Sequence, residues 1–251
     1  MKVIQITDLH LHEDRAATLK EVVTWESFEA VLADIDANHS DFDLMVITGD
    51  IAQDEALPTY EAFREALGDR IARCRLIPGN HDDRAHLTAT FEGFFSAGTE
   101  TLDFVTHVGH WRIVGLDTQV TGEVHGQLTA SQVDWLDMQL NAGPEPTLIF
   151  LHHPPAPIGV AWLDANPLRD HEQFLNLVSR HNVQALVAGH VHQASEGQVA
   201  GTTFYTTPST CMQFGSGSDK EFMTSGYGYR IFELGEASLA TSVTRVTPLP
   251  A

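Results

Sequence analysis

Two hydrophobic habits share this chain: short apolar runs that stop abruptly, and longer stretches in which apolar residues recur every three or four positions. Val3 to Thr7, Asp43 to Thr48, Arg75 to Pro78, Thr147 to Leu151 and Gln184 to Ala188 are of the first kind. Such brief, near-continuous runs suit strands of a sheet covered on both faces. Between them, Trp25, Phe28, Val31, Leu32 and Ile35 fall on one helical face, with Thr24 as the expected N-cap. Pro58 in a first turn opens a second helix carrying Tyr60, Phe63 and Leu67, and Gly68 stops it. Thr129 with Gln132 has capping-box spacing ahead of Val133, Leu136 and Leu140. Asp170 with Gln173 repeats that spacing ahead of Phe174, Leu177 and Val178.

The order is strand then helix, repeated, which predicts an α/β architecture. Phe104 to Thr118 contains a hairpin turn at Val108-Gly109-His110-Trp111, so antiparallel pairing enters and the sheets should be mixed. After His192 the pattern changes to short strands: 193 to 199 and 202 to 206 around Ala200-Gly201, then 229 to 234 and 238 to 246. No repeat or linker separates this part, so residues 1–251 read as one domain with two sheets and a β-rich portion at 212–251. The Gly- and Ser-bearing stretch 215–228 has the composition of a mobile loop. At 251 residues and 43% apolar content, the chain can bury a sizeable core.

The strand runs end in polar blocks. These are Asp8-Leu9-His10, Gly49-Asp50, Gly79-Asn80-His81-Asp82, His152-His153-Pro154-Pro155 and Gly189-His190-Val191-His192. Ligand sites in open α/β sheets lie outside the carboxyl ends of strands, where these blocks fall. Each has a plainer reading: Asp8 and His10 as a hydrogen-bonded turn pair, Asp50 as a helix cap, the His-x-His pair as solvent-facing side chains. The residues alone leave His152 and His153 near parity as the inward-facing imidazole. Taken together, carboxylates, an amide and histidines at successive strand ends form a nitrogen and oxygen ligand set for metal. Cys74 and Cys211 are far apart and lack CxxC spacing, which argues against a disulfide framework or a thiolate zinc site. His107, His110 and His125 read as structural or rim residues.

Charge narrows the substrate. With 14 basic against 34 acidic residues the formal net charge is -20, which would repel a long phosphate backbone. The chain begins directly with a strand pattern, without the features of a signal peptide, and no apolar run approaches a membrane span, so a cytoplasmic protein without membrane contact is expected. A homodimer is the expected assembly.

The blocks Asp-x-His, Gly-Asp, Gly-Asn-His-Asp, a His after a strand and Gly-His-x-His, in that order from residue 3 to about 214, resemble the calcineurin-like metallophosphoesterases. That resemblance implies two mixed β-sheets flanked by helices, a four-layer αββα arrangement. Within the family, 24–28, 126–136 and Pro208-Ser209-Thr210-Cys211-Met212-Gln213-Phe214 are similar to bacterial class III cyclic nucleotide phosphodiesterases. Position by position, it implies one metal on Asp8, His10, Asp50 and His192 and another on Asp50, Asn80, His152 and His190, with Asp50 bridging. The implied cofactors are two divalent or mixed-valence ions on nitrogen and oxygen donors, which suit Mn, Fe, Co or Zn without choosing among them. The implied reaction is hydrolysis of a small phosphodiester, most of all a 3′,5′-cyclic nucleotide, by a metal-bound hydroxide. Asp50, Asn80 and His81 would form the catalytic group, His81 stabilising the transition state or protonating the departing alkoxide, with Asp82 as its supporting partner. A glycerophosphodiesterase or broad-specificity enzyme, or a metal-binding scaffold, are the alternatives.

Overall fold

The computed structural model describes residues 1–96, 101–215, 217, 221–236 and 238–246. In chain order the main elements are β1 (Lys2–Ile6), α1 (Thr24–His39), β2 (Leu44–Thr48), α2 (Leu57–Leu67), β3 (Cys74–Ile77), α3 (Arg84–Thr90), β4 (Phe104–Val108) and β5 (Trp111–Gly115). There follow α4 (Ala130–Asn141), β6 (Thr147–Phe150), α5 (Glu172–Val178), β7 (Val183–Ala188), β8 (Ser195–Val199), β9 (Thr202–Thr206), β10 (Tyr227–Leu234) and β11 (Leu239–Val246). One sheet has strand order β11-β10-β1-β2-β3, the other β8-β9-β7-β6-β5-β4. Both are mixed: β1, β2 and β3 run parallel, as do β5, β6, β7 and β9, while β10, β11, β4 and β8 enter antiparallel.

Side-chain alternation builds the layers. Val3, Leu44, Val46 and Ile77 from one sheet meet Leu148, Phe150, Ala185 and Val187 from the other in a sheet-on-sheet core. Their neighbours Ile4, Ile6, Met45 and Ile47 point the opposite way, onto Trp25, Phe28, Tyr60 and Phe63 of α1 and α2. Ile149, Leu151 and Leu186 likewise face Leu136, Leu140, Phe174 and Leu177 of α4 and α5. Because successive strand residues face opposite sides, a strand between two apolar layers must be apolar throughout. That is the continuous pattern seen in β2, β6 and the end of β7.

Local signals held with two corrections. Thr129 accepts from Gln132 N, and Gln132 returns the bond, a complete capping box. Pro58 sits in the first turn of α2 and Gly68 caps it with φ 54°. Thr24, expected as N-cap, is instead the first helical residue of α1, preceded by Val23 with no side-chain cap. Asp170 does not cap α5 either; His171 precedes the helix, and Asp170 accepts from Gln127 Nε2 at 2.8 Å. Helix α1 thus starts one residue earlier than the signal at Thr24 suggests, and α5 one residue later than that at Asp170, because Val22–Val23 and Leu168–Arg169 before them are held by short strand pairs. Of the stretch read as a mobile loop, 216 and 218–220 lie outside the described residues, and Phe222–Met223 pairs antiparallel with Gln213–Phe214.

Candidate metal centre

The loops leaving β1, β2, β3, β6 and β7 converge at one end of the sandwich. The first two are laced together by their backbones: Asp8 N donates to Gly49 O at 3.0 Å, His10 N to Asp50 O at 2.8 Å, and Leu11 N to Ile51 O at 2.8 Å. Asp8, His10, Asp50, His190 and His192 all have positive φ, between 48° and 69°. Non-glycine residues held there cost on the order of 1–3 kcal/mol each, and such strain gathers at functional sites. Close approach also requires glycine: a Cβ on Gly79 would lie 2.2 Å from Asp50 Oδ1 and 2.7 Å from His152 Cε1.

The expected residues form two adjoining lobes. In the first, His10 Nε2 lies 3.2 Å from His192 Nε2 and 3.6 Å from Asp50 Oδ2, and His192 Nε2 lies 3.4 Å from Asp8 Oδ1. In the second, His152 Nε2 lies 3.2 Å from Asn80 Oδ1 and 3.4 Å from Asp50 Oδ2, and the His190 ring sits 5.2 Å from that of His152. Asp50 Oδ2 therefore faces both lobes, while its Oδ1 accepts from His81 N at 2.9 Å. Asp8 carries a second duty, accepting from His190 N with both oxygens.

Outer partners fix the rings. His192 Nδ1 donates to Met212 O at 2.9 Å and His152 Nδ1 donates to Thr48 O at 2.7 Å, since a carbonyl can only accept. Each Nε2 is then left as a lone pair among other acceptors. Around His152 Nε2 these are Asn80 Oδ1 and Asp50 Oδ2, three acceptors with no donor between them. Such a cluster requires a cation, and its nitrogen and oxygen donors fit divalent transition metals. Electrostatics agree. Burial raises the Asp8 and Asp50 carboxyls, but facing histidines outweigh it and hold both below the usual range, Asp50 far below. Burial depresses His10 to about 4 and His190 to about 3, keeping both imidazoles neutral, as ligands must be. His152 is also pulled down by burial, but Asp50 overrides this and pushes it up to about 9, so without metal a proton on its Nε2, shared with Asp50, takes the place a cation would fill.

His153 separates from His152 here. Its Nδ1 accepts from Thr118 Oγ1 at 2.8 Å and its Nε2 donates to Val124 O at 3.0 Å, so both ring nitrogens are engaged by the scaffold. The close ring contact to His190, 4.7 Å, makes it packing behind the second lobe. His81 is half-buried at the edge of the first lobe, its ring 5.0 Å from that of His10. Asp82 does not support His81 as expected. It accepts from Ile51 N, Ala52 N, Gly79 N and Tyr60 OH at 2.8–3.1 Å, tying the β2 and β3 loops together. His110 binds Glu236 O and His125 faces Glu123, both away from the cluster.

Sequence reasoning missed Gln53, whose Oε1 is 2.7 Å from His10 Nδ1; its only signal is its place three residues after Asp50. It also set Cys211 aside, yet the thiol lies within 4.8 Å of ring nitrogens of His10 and His192. Burial pushes that thiol up to about 12, and Ser209 Oγ donates to its sulfur. Beside the first lobe stands an aromatic wall: Phe214 stacks on His192 at 4.0 Å and 10°, with Trp162 and Phe222 at 5.0 and 5.7 Å from Phe214.

Comparison with known proteins agrees with this geometry. The family model described as calcineurin-like phosphoesterase matches residues 1–194. The 3′,5′-cyclic adenosine monophosphate phosphodiesterase CpdA of Escherichia coli strain K12 is 37% identical over 250 residues, covering 98% of this chain and 90% of that protein. The 3′,5′-cyclic-nucleotide phosphodiesterase alr5338 of Nostoc is 31% identical, covering 98% and 92%. Among solved structures, a purple acid phosphatase from yellow lupin seeds superposes with a TM-score of 0.71 over 98% of this chain and 51% of that one, at 12% identity, a likeness of fold alone. With its strand-end cluster of carboxylates and histidines, its paired mixed sheets and these matches, the chain belongs to the calcineurin-like phosphoesterase family.

Proposed function

We propose that the chain is a dinuclear metal-dependent phosphodiesterase that hydrolyses small diesters, 3′,5′-cyclic nucleotides above all. The observation that carries this reading is Asp50 Oδ2 lying 3.6 Å from His10 Nε2 and 3.4 Å from His152 Nε2, one carboxylate oxygen between two histidine lobes. Asp8, His10 and His192 would complete one metal shell, Asn80, His152 and His190 the other. When bound, two divalent ions would supply a low-pKa water and offset charge on the phosphoryl oxygens of an in-line displacement. The chain does the rest. Asp50 sets the spacing of the lobes, Thr48 O and Met212 O orient the rings, and half-buried His81, beside His10 at the edge of the first lobe, would offer a donor to a departing oxygen.

The cyclic nucleotide assignment draws on the near-full-length relatives and on the aromatic wall beside His192, a surface on which a base can stack. Overall acidity supports a small, singly charged substrate over long nucleic acid, since only the metal-loaded site would be locally positive. Among the described residues no helix is long and apolar enough to cross a membrane. The test is turnover by protein reconstituted with Mn, Fe, Co or Zn against cyclic AMP, cyclic GMP, bis(p-nitrophenyl) phosphate, a glycerophosphodiester and a monoester. The expected result is metal-dependent hydrolysis with cyclic nucleotides preferred. Turnover no higher than the metal-free control with every metal would overturn the enzyme reading, and preference for the glycerophosphodiester would reassign the substrate.

A further inference from the structure

One side-chain amide joins a proposed metal ligand to the proposed leaving-group histidine. Gln53 Oε1 is 2.7 Å from His10 Nδ1, and Gln53 Nε2 is 3.3 Å from His81 Nδ1. An amide oxygen only accepts and an amide nitrogen only donates. With the oxygen toward His10, that ring carries its proton on Nδ1 and presents a bare Nε2 to Asp50 and His192, as a metal ligand must. The amide nitrogen then points at His81, whose Nδ1 has to accept. The His81 proton is left on Nε2, which has no hydrogen-bond partner among the described residues. The reversed amide would put a proton on His10 Nε2, in the place of the cation. Ligation by His10 and the location of the His81 proton are thus a single choice made through one side chain.

We propose that Gln53 is a positioning residue that, whenever His10 ligates metal, holds His81 as the Nε2–H tautomer, so that His81 donates a hydrogen bond to a substrate oxygen instead of surrendering its proton. Surrender from this tautomer would leave an anionic imidazolate at the edge of a carboxylate-rich site. The proton that the departing oxygen takes as the P–O bond breaks therefore comes from solvent water, and the proton released by the attacking water, whose oxygen forms the new bond to phosphorus, returns to solvent. The catalytic role of His81 rests on the proposed phosphodiesterase reading, while its tautomer does not.

The test is long-range ¹H–¹⁵N correlation of histidine-labelled, Zn²⁺-loaded protein, with His81→Gln to assign the resonance. Near neutral pH, wild-type His81 should show a protonated Nε2 and a bare Nδ1. Gln53→Glu keeps an oxygen for His10 but removes the N–H facing His81, so it should place a proton on His81 Nδ1 while both metal equivalents remain. In turnover at matched metal content, Gln53→Met should lower kcat about 10- to 100-fold, the usual cost of losing an outer partner, with KM within about twofold. That loss should be the same for cyclic AMP and bis(p-nitrophenyl) phosphate, because a charge-stabilising donor does not discriminate by leaving-group basicity. A wild-type His81 protonated on Nδ1, or a loss confined to the poor leaving group, overturns the proposal. A wild-type protein that hydrolyses no diester at all defeats the functional reading, and the tautomer measurement still decides Gln53.

Discussion

The layered sandwich and the crown of loops above it follow opposite rules. In the sandwich the strand residues of the sheet-on-sheet core keep ordinary conformations and apolar partners: Phe150 and Phe232 meet edge to face at 5.9 Å between the sheets. In the crown, five of the ten described non-glycine residues with positive φ follow the ends of β1, β2 and β7 by two to four residues, and lone pairs face lone pairs. Local preference builds the first region. The second is imposed by it, through the backbone lacing of the β1 and β2 loops and the four bonds that Asp82 makes to loop backbone and Tyr60. A stable scaffold thus carries a polar arrangement that is complete only with cations.

If the regions are separable, the crown can be disabled while the sandwich stands. Asp50→Asn keeps shape but weakens the one group shared by both lobes. Both metal equivalents should be lost and kcat/KM should fall by about 10³-fold or more, several kcal/mol of transition-state stabilisation, while metal-free melting changes by only a few degrees. His10→Ala should cost mainly one equivalent. Elemental analysis beside thermal unfolding decides it, and two tightly held equivalents in Asp50→Asn would contradict the shared carboxylate.

The converse change is Phe232→Ala, which empties a fully buried position between the sheets, away from the residues of the two lobes. Large-to-small changes of this kind cost about 3–5 kcal/mol. Denaturant unfolding should register that loss, and the folded fraction should bind metal as wild type does. A variant that folds normally yet sheds metal would show that crown and sandwich are not separable.

The same contrast explains what could be read beforehand. The sandwich was legible because burial on both faces forces continuous apolar runs, as in Leu44–Thr48 and Thr147–Phe150. The site was legible as positions, since Asp8, Asp50, Asn80, His152 and His190 each follow a strand, but not as roles. Choosing His152 over His153 needs Thr118 and Val124, and both lie in a different loop. Gln53 and the carbonyls of Thr48 and Met212 act through orientation, which residue identity does not encode. The capping signals at Thr24 and Asp170 misled because tertiary strand pairing moved the helix starts.

Carboxylates sharpen the comparison, because burial acts on them with opposite outcomes. In the crown, histidines hold Asp8 and Asp50 low. Just before β4, against the first turn of α4, Asp103 meets only neutral donors and a nearby carboxylate: it accepts from Asp117 N at 2.8 Å and Gln132 Nε2 at 2.9 Å, and burial pushes it up from 3.8 to about 6. Its folded form holds a proton more tightly than its unfolded form, so between about pH 4 and pH 6 the folded state binds the extra proton and stability falls as pH rises. The effect should be on the order of 2 kcal/mol. Asp103→Asn should remove that part of the slope in denaturant unfolding across pH 4–7, and an unchanged slope would show that Asp103 is ionised in the fold throughout.

The smallest expected effect lies at the crown's rim. Phe222 is 38% exposed, its ring 5.7 Å from Phe214 and covered by Lys20 Nζ at 4.5 Å, so it is held in place without being needed for the core. If the wall receives a base, Phe222→Ala should raise the KM for cyclic AMP about tenfold with kcat nearly unchanged, near the lower end of what one stacked base contributes. Metal content and melting should match wild type. Inhibition constants isolate the base: binding of 5′-AMP should weaken by the same factor, and binding of ribose 5-phosphate, which has the phosphate but no base, should not change. Equal weakening of both would mean that Phe222 shapes the phosphate end of the site, and no weakening of either would leave the base to another surface.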